Sequence, residues 1–250
     1  MTRRPRSAPA RLELGGHALR HAGGASIRGS RWLIPNHPVW RVGYAAAPLD
    51  FPPRHLYGWE NRFDDSTRDY RTLYCAAERL TCLYEVLADL RPHAAVLVEF
   101  AQLYGGGGVA DLRLAGRITW EWRVRNALVE AVIVADGELV DLDDVDVRTE
   151  LETRHARLLA ENGMPHLDIG QVRSKTRVVT QTIARSLYDD GFAGVRFRSN
   201  LDDRECFALF EGHATLDPTN RDPDLLTNDL PELLQAASDF ELVVKRVWPR

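Results

Sequence analysis

The sequence predicts an α+β fold, a single domain with a central mixed or antiparallel sheet flanked by helices. Three observations predict it. The 250 residues suffice for one good core but leave little for a second. Segments rich in β-branched and aromatic residues recur along the chain and read as short strands. Segments with the apolar spacing of amphipathic helices lie among them, but without the strict strand–helix–strand alternation of a parallel sheet and without any internal repeat.

Residues 1 to 35 are rich in Arg, Ala, Gly and Pro, and the glycine pairs at 15–16 and 23–24 would break a long helix. They read as a mobile or loosely attached arm ahead of a domain spanning 36–250. Val39 to Ala46 reads as a strand carrying Trp40-Arg41, and a loop with Pro48, Pro52 and Pro53 runs on to Gly58. Tyr70 to Ala76 reads as a short buried strand. Glu78 to Leu90 has apolar residues at 80, 83, 84, 87 and 90, the spacing of an amphipathic helix, which Arg91-Pro92 stops. Ala94 to Tyr104 alternates toward a strand, and Gly105 to Gly108 make a flexible connection. Strands are expected over 118–124, with Trp120 and Trp122 on one core-facing side, over 127–135 and over 139–142. Val147 to Glu161 reads as a helix closed by Asn162-Gly163 as a left-handed cap. Arg173 to Asp189 reads as another, with Val178, Val179, Ile183 and Leu187 inward and Gly191 after its end. Strands then return at 194–198 and 206–211. A polar loop over 217–229, a short helix over 231–237 and a last strand over 241–248 follow, and residues 215–250 read as a C-terminal extension.

Composition narrows the function classes. Apolar and charged fractions of 44% and 27% are those of an ordinary globular protein, and a net charge of −4 gives no general affinity for nucleic acid or anionic membrane. Lys175 and Lys245 are the only lysines, so arginine supplies the positive charge, the better residue for two-pronged recognition of phosphate. Cys75, Cys82 and Cys206 offer neither a disulfide framework nor a zinc-type CxxC spacing, which suits a reducing cytoplasm. No apolar run approaches the ~20 residues that span a bilayer, and Ser7 to Arg20 lacks the apolar stretch of a signal peptide. A cytoplasmic protein without membrane or direct nucleic-acid partners is expected. His17 and His21 share i, i+4 spacing but have no third ligand, so no metal is expected. Asp141, Asp143, Asp144 and Asp146 lack the glycine of a calcium loop and read as a charged turn before a helix. Gly105 to Gly108 do not make a dinucleotide fingerprint, and no G-x-S-x-G elbow occurs.

Three short stretches remain: Asn61-Arg62-Phe63-Asp64-Asp65; Leu73-Tyr74 running on to Tyr84-Glu85; and Gly194 to Ser199. Each has a plain reading. Helical periodicity puts Glu85 on a solvated face, opposite Leu80, Leu83, Leu87 and Leu90. A turn with local ion pairs to Asp64 and Asp65 would account for Arg62. Ser199, followed by Asn200 and Asp202-Asp203, looks like the end of a strand. Taken with their contexts the three stretches say more. NRFDD…YRTLYCAAERLTCLYEVL and LYDDGFAGVRFRSN…CFALFEG resemble the RES-domain family, which sets its Arg before a strand, its Tyr at that strand's end, its Glu in the next helix and its Ser after a late strand. Trp40-Arg41 resembles an aromatic-Arg pair that the family uses near its nucleotide. The resemblance covers about residues 36 to 213, and its motifs are specific jointly rather than singly. Two features depart from compact members: the interval from Glu85 to Ser199 is longer, enlarged around 105–170, and the first motif reads Arg-Phe rather than Arg-Trp-Asn.

The resemblance implies an ADP-ribosyltransferase-like fold and an enzyme that consumes NAD, as the toxins of bacterial toxin–antitoxin pairs do. It implies Glu85, Arg62 and Ser199 as catalytic residues and Arg41, Arg62, Tyr74 and Ser199 as binding residues. NAD would be a substrate rather than a resident cofactor, inorganic phosphate a second small partner, and an antitoxin the protein partner. Activity would be that of an NAD phosphorylase or NAD glycohydrolase. The alternatives are a mono-ADP-ribosyltransferase acting on a protein and a non-catalytic nucleotide-binding domain.

Overall fold

The computed structural model describes residues 31–32, 34–93, 116–173 and 176–245, together with positions 95, 98, 99 and 102. Strands in chain order are β1 (Arg31–Trp32), β2 (Val39–Tyr44), β3 (Thr72–Ala76), β4 (Arg117–Ile118), β5 (Asn126–Ala135), β6 (Leu139–Asp141), β7 (Gly194–Arg198), β8 (Glu205–Phe210), β9 (Ala214–Pro218), β10 (Asp224–Leu225) and β11 (Val243–Val244). Nine of them form one sheet in the order β1-β6-β7-β8-β3-β2-β5-β10, with β9 also on β5. Within it β6 and β7 run parallel and every other pair is antiparallel. β4 and β11 make a separate parallel pair. The sheet is therefore mixed, and the fold class is the α+β one expected.

Period-two alternation sorts the strand residues between two layers. On β8, Cys206, Ala208 and Phe210 join the larger core and Phe207 and Leu209 the smaller; on β3, Ala76 goes one way and Leu73 and Cys75 the other. The buried faces of the helices all lie in the larger core. Those helices are α1 (Arg79–Leu87), α2 (Trp120–Arg125), α3 (Val145–Arg154), α4 (Ala156–Glu161), α5 (Ile169–Val172), α6 (Arg177–Asp189) and α7 (Pro231–Asp239). In α6 the buried residues Val179, Ile183, Ala184 and Leu187 keep helical spacing, and each contributes about 1–3 kcal/mol on burial. The smaller core is closed by Ile34, Leu49 and Phe51 from non-helical segments. Local signals set the helix ends: Asp144 accepts from the amides of Asp146 and Val147 to cap α3, Pro231 opens α7, and Gly163 at φ +67° follows α4 and Asn162.

Several expectations need correction. Residues 120–125 are helix rather than strand, because Thr119 caps them through the Trp122 amide; Trp120 is consequently exposed and Trp122 only half-buried. Val147 to Glu161 is two helices, broken at His155. Val178 is 49% exposed, on the side of α6 away from its buried stripe. The strand expected over 94–104 falls mostly outside the described residues, and its described positions 95, 98, 99 and 102 are helical. His17, His21 and Gly105 to Gly108 lie outside the described residues. Within the expected arm, Arg31–Trp32 pairs with Leu139 and Val140 as an edge strand. Asp141 and Asp143 do form a charged turn before a helix, closing on the buried Arg196 at 2.9 and 3.1 Å. Among the described residues, no helix is long and apolar enough to cross a membrane.

Candidate active site

The site is assembled from a turn, a helix face and a strand end. The turn comes first in the chain. Asp64 is fully buried and accepts from the Tyr57 hydroxyl at 2.6 Å, the Asn61 amide at 2.7 Å and the Tyr74 hydroxyl at 3.0 Å. Burial pushes its carboxyl above the ordinary value, and these bonds offset part of that rise. Asp65, also fully buried, accepts from the amides of Thr67 and Asp69. The two acids beside Arg62 thus shape the turn instead of pairing with the guanidinium. Arg62 forms no ion pair with a described residue; its guanidinium lies 5.6 Å from the Phe197 ring centre. Burial lowers its pKa, the charge of Glu85 opposes that fall, and the like charge of Arg177 adds to it.

Tyr74 stands on β3 with its hydroxyl held between Asp64 and the Phe63 amide, the latter at 3.0 Å. Its ring is fixed in the wall before any ligand arrives. Its carbonyl accepts from Arg41 at 2.8 Å, and Arg41 also donates to the Pro48 carbonyl at 3.0 Å. Arg41 reaches the cavity but spends much of its hydrogen-bonding on the backbone, pinning the 48–61 loop to the sheet. That loop can close only because residue 43 is glycine: a Cβ there would sit 2.1 Å from the Pro48 oxygen.

Glu85 projects from the exposed side of α1, where periodicity places it, yet it does not face open solvent alone. The Ser199 hydroxyl donates to its Oε1 at 2.6 Å. Ser199 is fully buried just after β7, accepts from the Leu201 amide at 3.0 Å, and stands behind Glu85 rather than in the cavity wall. A second bond, Thr81 Oγ1 to Asp202 at 2.6 Å, ties α1 to the same turn. From its far side α1 is braced on α7 by Arg79, which meets Glu232 at 2.6 Å and the β10 residue Asp224 at 2.6 Å.

These pieces surround one cavity of about 570 Å³, within the range of small-molecule sites. Arg41, Arg62, Tyr74 and Glu85 all line it. So do two arginines that the sequence motifs did not single out, Arg173 and Arg177, and the Tyr57 that holds Asp64. Arg177 carried no sequence signal, because the helix reads from Arg173 onward, whereas in the structure α6 begins at Arg177. Asp64 and Tyr57 carried none either, since an Asp in a turn is ordinary. Among the described residues, five arginines line the cavity against two carboxylates, Glu85 and Asp89, so that lining is net positive in a protein of net negative charge.

An acid, a hydroxyl behind it and several guanidiniums thus come together at one cavity. The family model for the RES domain matches residues 32–228, and the chain belongs to the RES domain family. No curated protein matches the chain in sequence. Among solved structures, a crystal structure of the M. tuberculosis MbcT–MbcA toxin–antitoxin complex is similar at a TM-score of 0.41 and 11% identity, over 74% of this chain and 84% of that one.

Proposed function

We propose that the protein cleaves the nicotinamide–ribose bond of NAD, with Glu85 as the catalytic carboxylate. The observation that carries this reading is the 2.6 Å bond from Ser199 to Glu85 at the wall of an arginine-lined cavity. Nicotinamide leaves a positively charged glycosidic nitrogen as a neutral molecule, so the reaction needs no strong general acid. The barrier lies in the oxocarbenium-like ribose, as in glycoside hydrolysis, and one oriented carboxylate stabilises that charge and grips a ribose hydroxyl. Ser199 acts as a positioning residue: by donating to Oε1 it fixes the carboxylate and leaves Oε2 for the substrate. Arg62, which pairs with no carboxylate among the described residues, pairs with the diphosphate, and the fixed Tyr74 ring packs against the nicotinamide. Arg41 supports the wall more than it holds the ligand.

Incubating the purified full chain with NAD, with and without inorganic phosphate, and separating the products tests the proposal. Nicotinamide release is expected, with ADP-ribose as co-product where water attacks and ADP-ribose 1″-phosphate where phosphate does. A folded protein that releases no nicotinamide under either condition sinks it. The toxin role belongs to the same proposal: expression of the chain alone should lower cellular NAD and arrest growth, and Glu85→Gln should relieve both.

A further inference from the structure

We propose that Thr81 and Asp202 are positioning residues for Glu85: their bond seats α1 against the 199–204 turn and so keeps the carboxylate where Ser199 can orient it. This deepens the NAD reading above and rests on it for the reaction, while one of its readouts needs no reaction at all.

The Ser199 bond is not sufficient alone. Glu85 is a long, exposed side chain, and a hydrogen bond keeps its strength over only a few tenths of an ångström. One contact between a helix and a turn is a pivot; two on one helical face fix both spacing and rotation. Thr81 supplies the second. It precedes Glu85 by one helical turn on the same face, and its Oγ1 donates to Asp202 at 2.6 Å. The two bonds run side by side, with helix positions 81 and 85 meeting turn positions 202 and 199.

The direction of the Thr81 hydroxyl is unusual for a helix. The other helical threonines among the described residues, Thr149, Thr153, Thr180 and Thr182, each donate to a carbonyl of their own helix. Thr81 is fully buried and instead reaches across to a carboxylate, a stronger acceptor than a carbonyl. Replacing it by an apolar residue leaves the Asp202 oxygen without that donor.

The turn is shaped to receive the bond. The Ser199 amide donates to the Arg204 carbonyl at 2.8 Å, and the Asp203 amide to the Ser199 carbonyl at 3.2 Å. Asp203 lies at φ +59°, a conformation that a residue with a side chain holds when its surroundings impose it. One oxygen of Asp202 accepts from the Arg204 amide at 3.3 Å and the other from Thr81, so a single carboxylate closes the turn and ties it to α1. A further tie, Arg204 to Glu78 at the start of α1, joins two exposed side chains and is screened by solvent. Arg79 braces α1 from its far side, which steadies the helix without setting its gap to the turn.

The test uses the full chain, wild type beside Thr81→Val, which nearly keeps the shape and drops the hydroxyl, and Thr81→Ser, which keeps the hydroxyl. With NAD as substrate, Thr81→Val should lower kcat for nicotinamide release about tenfold and leave KM within about twofold, and Thr81→Ser should restore kcat. Because Thr81 and Ser199 act through one carboxylate, Thr81→Val combined with Ser199→Ala should lose about as much as the worse single variant. Should Thr81→Val not fold, Asp202→Ala, at the half-buried end of the bond, carries the same expectations. Crystal structures give the readout that needs no turnover: the Ser199–Glu85 distance should exceed about 3.5 Å in Thr81→Val and stay a hydrogen bond in Thr81→Ser. An unchanged kcat beside a lowered melting temperature, multiplying losses in the double variant, or an intact Ser199–Glu85 bond in Thr81→Val each overturns the positioning role. A wild type that releases no nicotinamide, with the bond still broken in Thr81→Val, leaves the positioning standing and removes the NAD reading instead.

Discussion

The two residues at the centre of the site divide its labour between exposure and burial. Glu85 carries no packing load, so Glu85→Gln should leave thermal stability unchanged while lowering the rate of nicotinamide release by about 10²–10³-fold, the ~3–4 kcal/mol of one lost transition-state contact. Steady-state kinetics beside a melting curve checks this; a variant that keeps activity would remove Glu85 from the chemistry. Ser199→Ala tests orientation. It removes the bond to Glu85 and the acceptor of the Leu201 amide, so about 1–2 kcal/mol of stability should go, and turnover should fall about tenfold with little change in NAD affinity. An equal loss in affinity would mark Ser199 as a ligand contact instead. At this scale sequence told much about identity and little about placement. Periodicity correctly put Glu85 on the outer side of its helix, but only the fold brings a strand end 114 positions later to meet it. Asp64 could not be recognised as the buried post of the wall, because its partners Tyr57 and Tyr74 become neighbours only after folding.

Among the elements, the 48–61 loop walls the cavity and two arginines hold it, Arg41 through the Pro48 carbonyl and Arg71 through that of Pro52. Arg71 donates to the Pro52 carbonyl at 2.6 Å and meets Glu211 through Nε at 3.0 Å and through a second, terminal nitrogen. The hydrogen bonds from Arg71 hold the Glu211 carboxyl below its ordinary 4.5. A carboxylate with a lowered folded-state pKa stabilises the protein above the unfolded value, and that contribution fades as pH falls through the folded one. Glu211→Gln should therefore lower the melting temperature near neutral pH, by about 1–2 kcal/mol equivalent, and the gap to wild type should close below pH 4.5. A gap independent of pH would assign the loss to packing. Gly43→Ala should push the loop off β2 and disturb Arg41, which an increase in proteolysis of the 48–61 loop would report. Element type was well read where periodicity and caps agreed, as in α1, α6 and Gly163. It failed over 120–125, where β-like Trp and Val were overridden by the Thr119 cap, and at 155, where the chain bends between α3 and α4.

For the molecule as a whole, the part beyond residue 228, where the family match ends, is integral to the architecture. α7 buries Leu233, Ala236 and Ala237 against the main core and gives Arg79 its partner Glu232. Arg123, 2% exposed, holds the carbonyls of Leu226 at 3.1 Å and Lys245 at 2.6 Å, joining the α2 segment to this C-terminal part. Removing residues 229–250 should therefore expose α1 and either prevent folding or loosen the helix that bears Glu85; near-native stability of that truncation, measured by denaturant titration, would show the tail to be an appendage. The class and the mixed sheet were legible from the mixture of short strands and amphipathic helices. The strand order was not, since pairing β3 with β8 joins segments more than a hundred residues apart for which local pattern holds no information.

The bond between Ser199 and Glu85 also has a meaning in time. A chain under synthesis displays its acid early, but the hydroxyl and the guanidiniums of Arg173 and Arg177 are translated only in its second half. A half-made polypeptide thus holds an unoriented carboxylate beside an unfinished sheet. Until the strand leading to Ser199 has been made and placed, Glu85 lacks the hydroxyl that holds its Oε1.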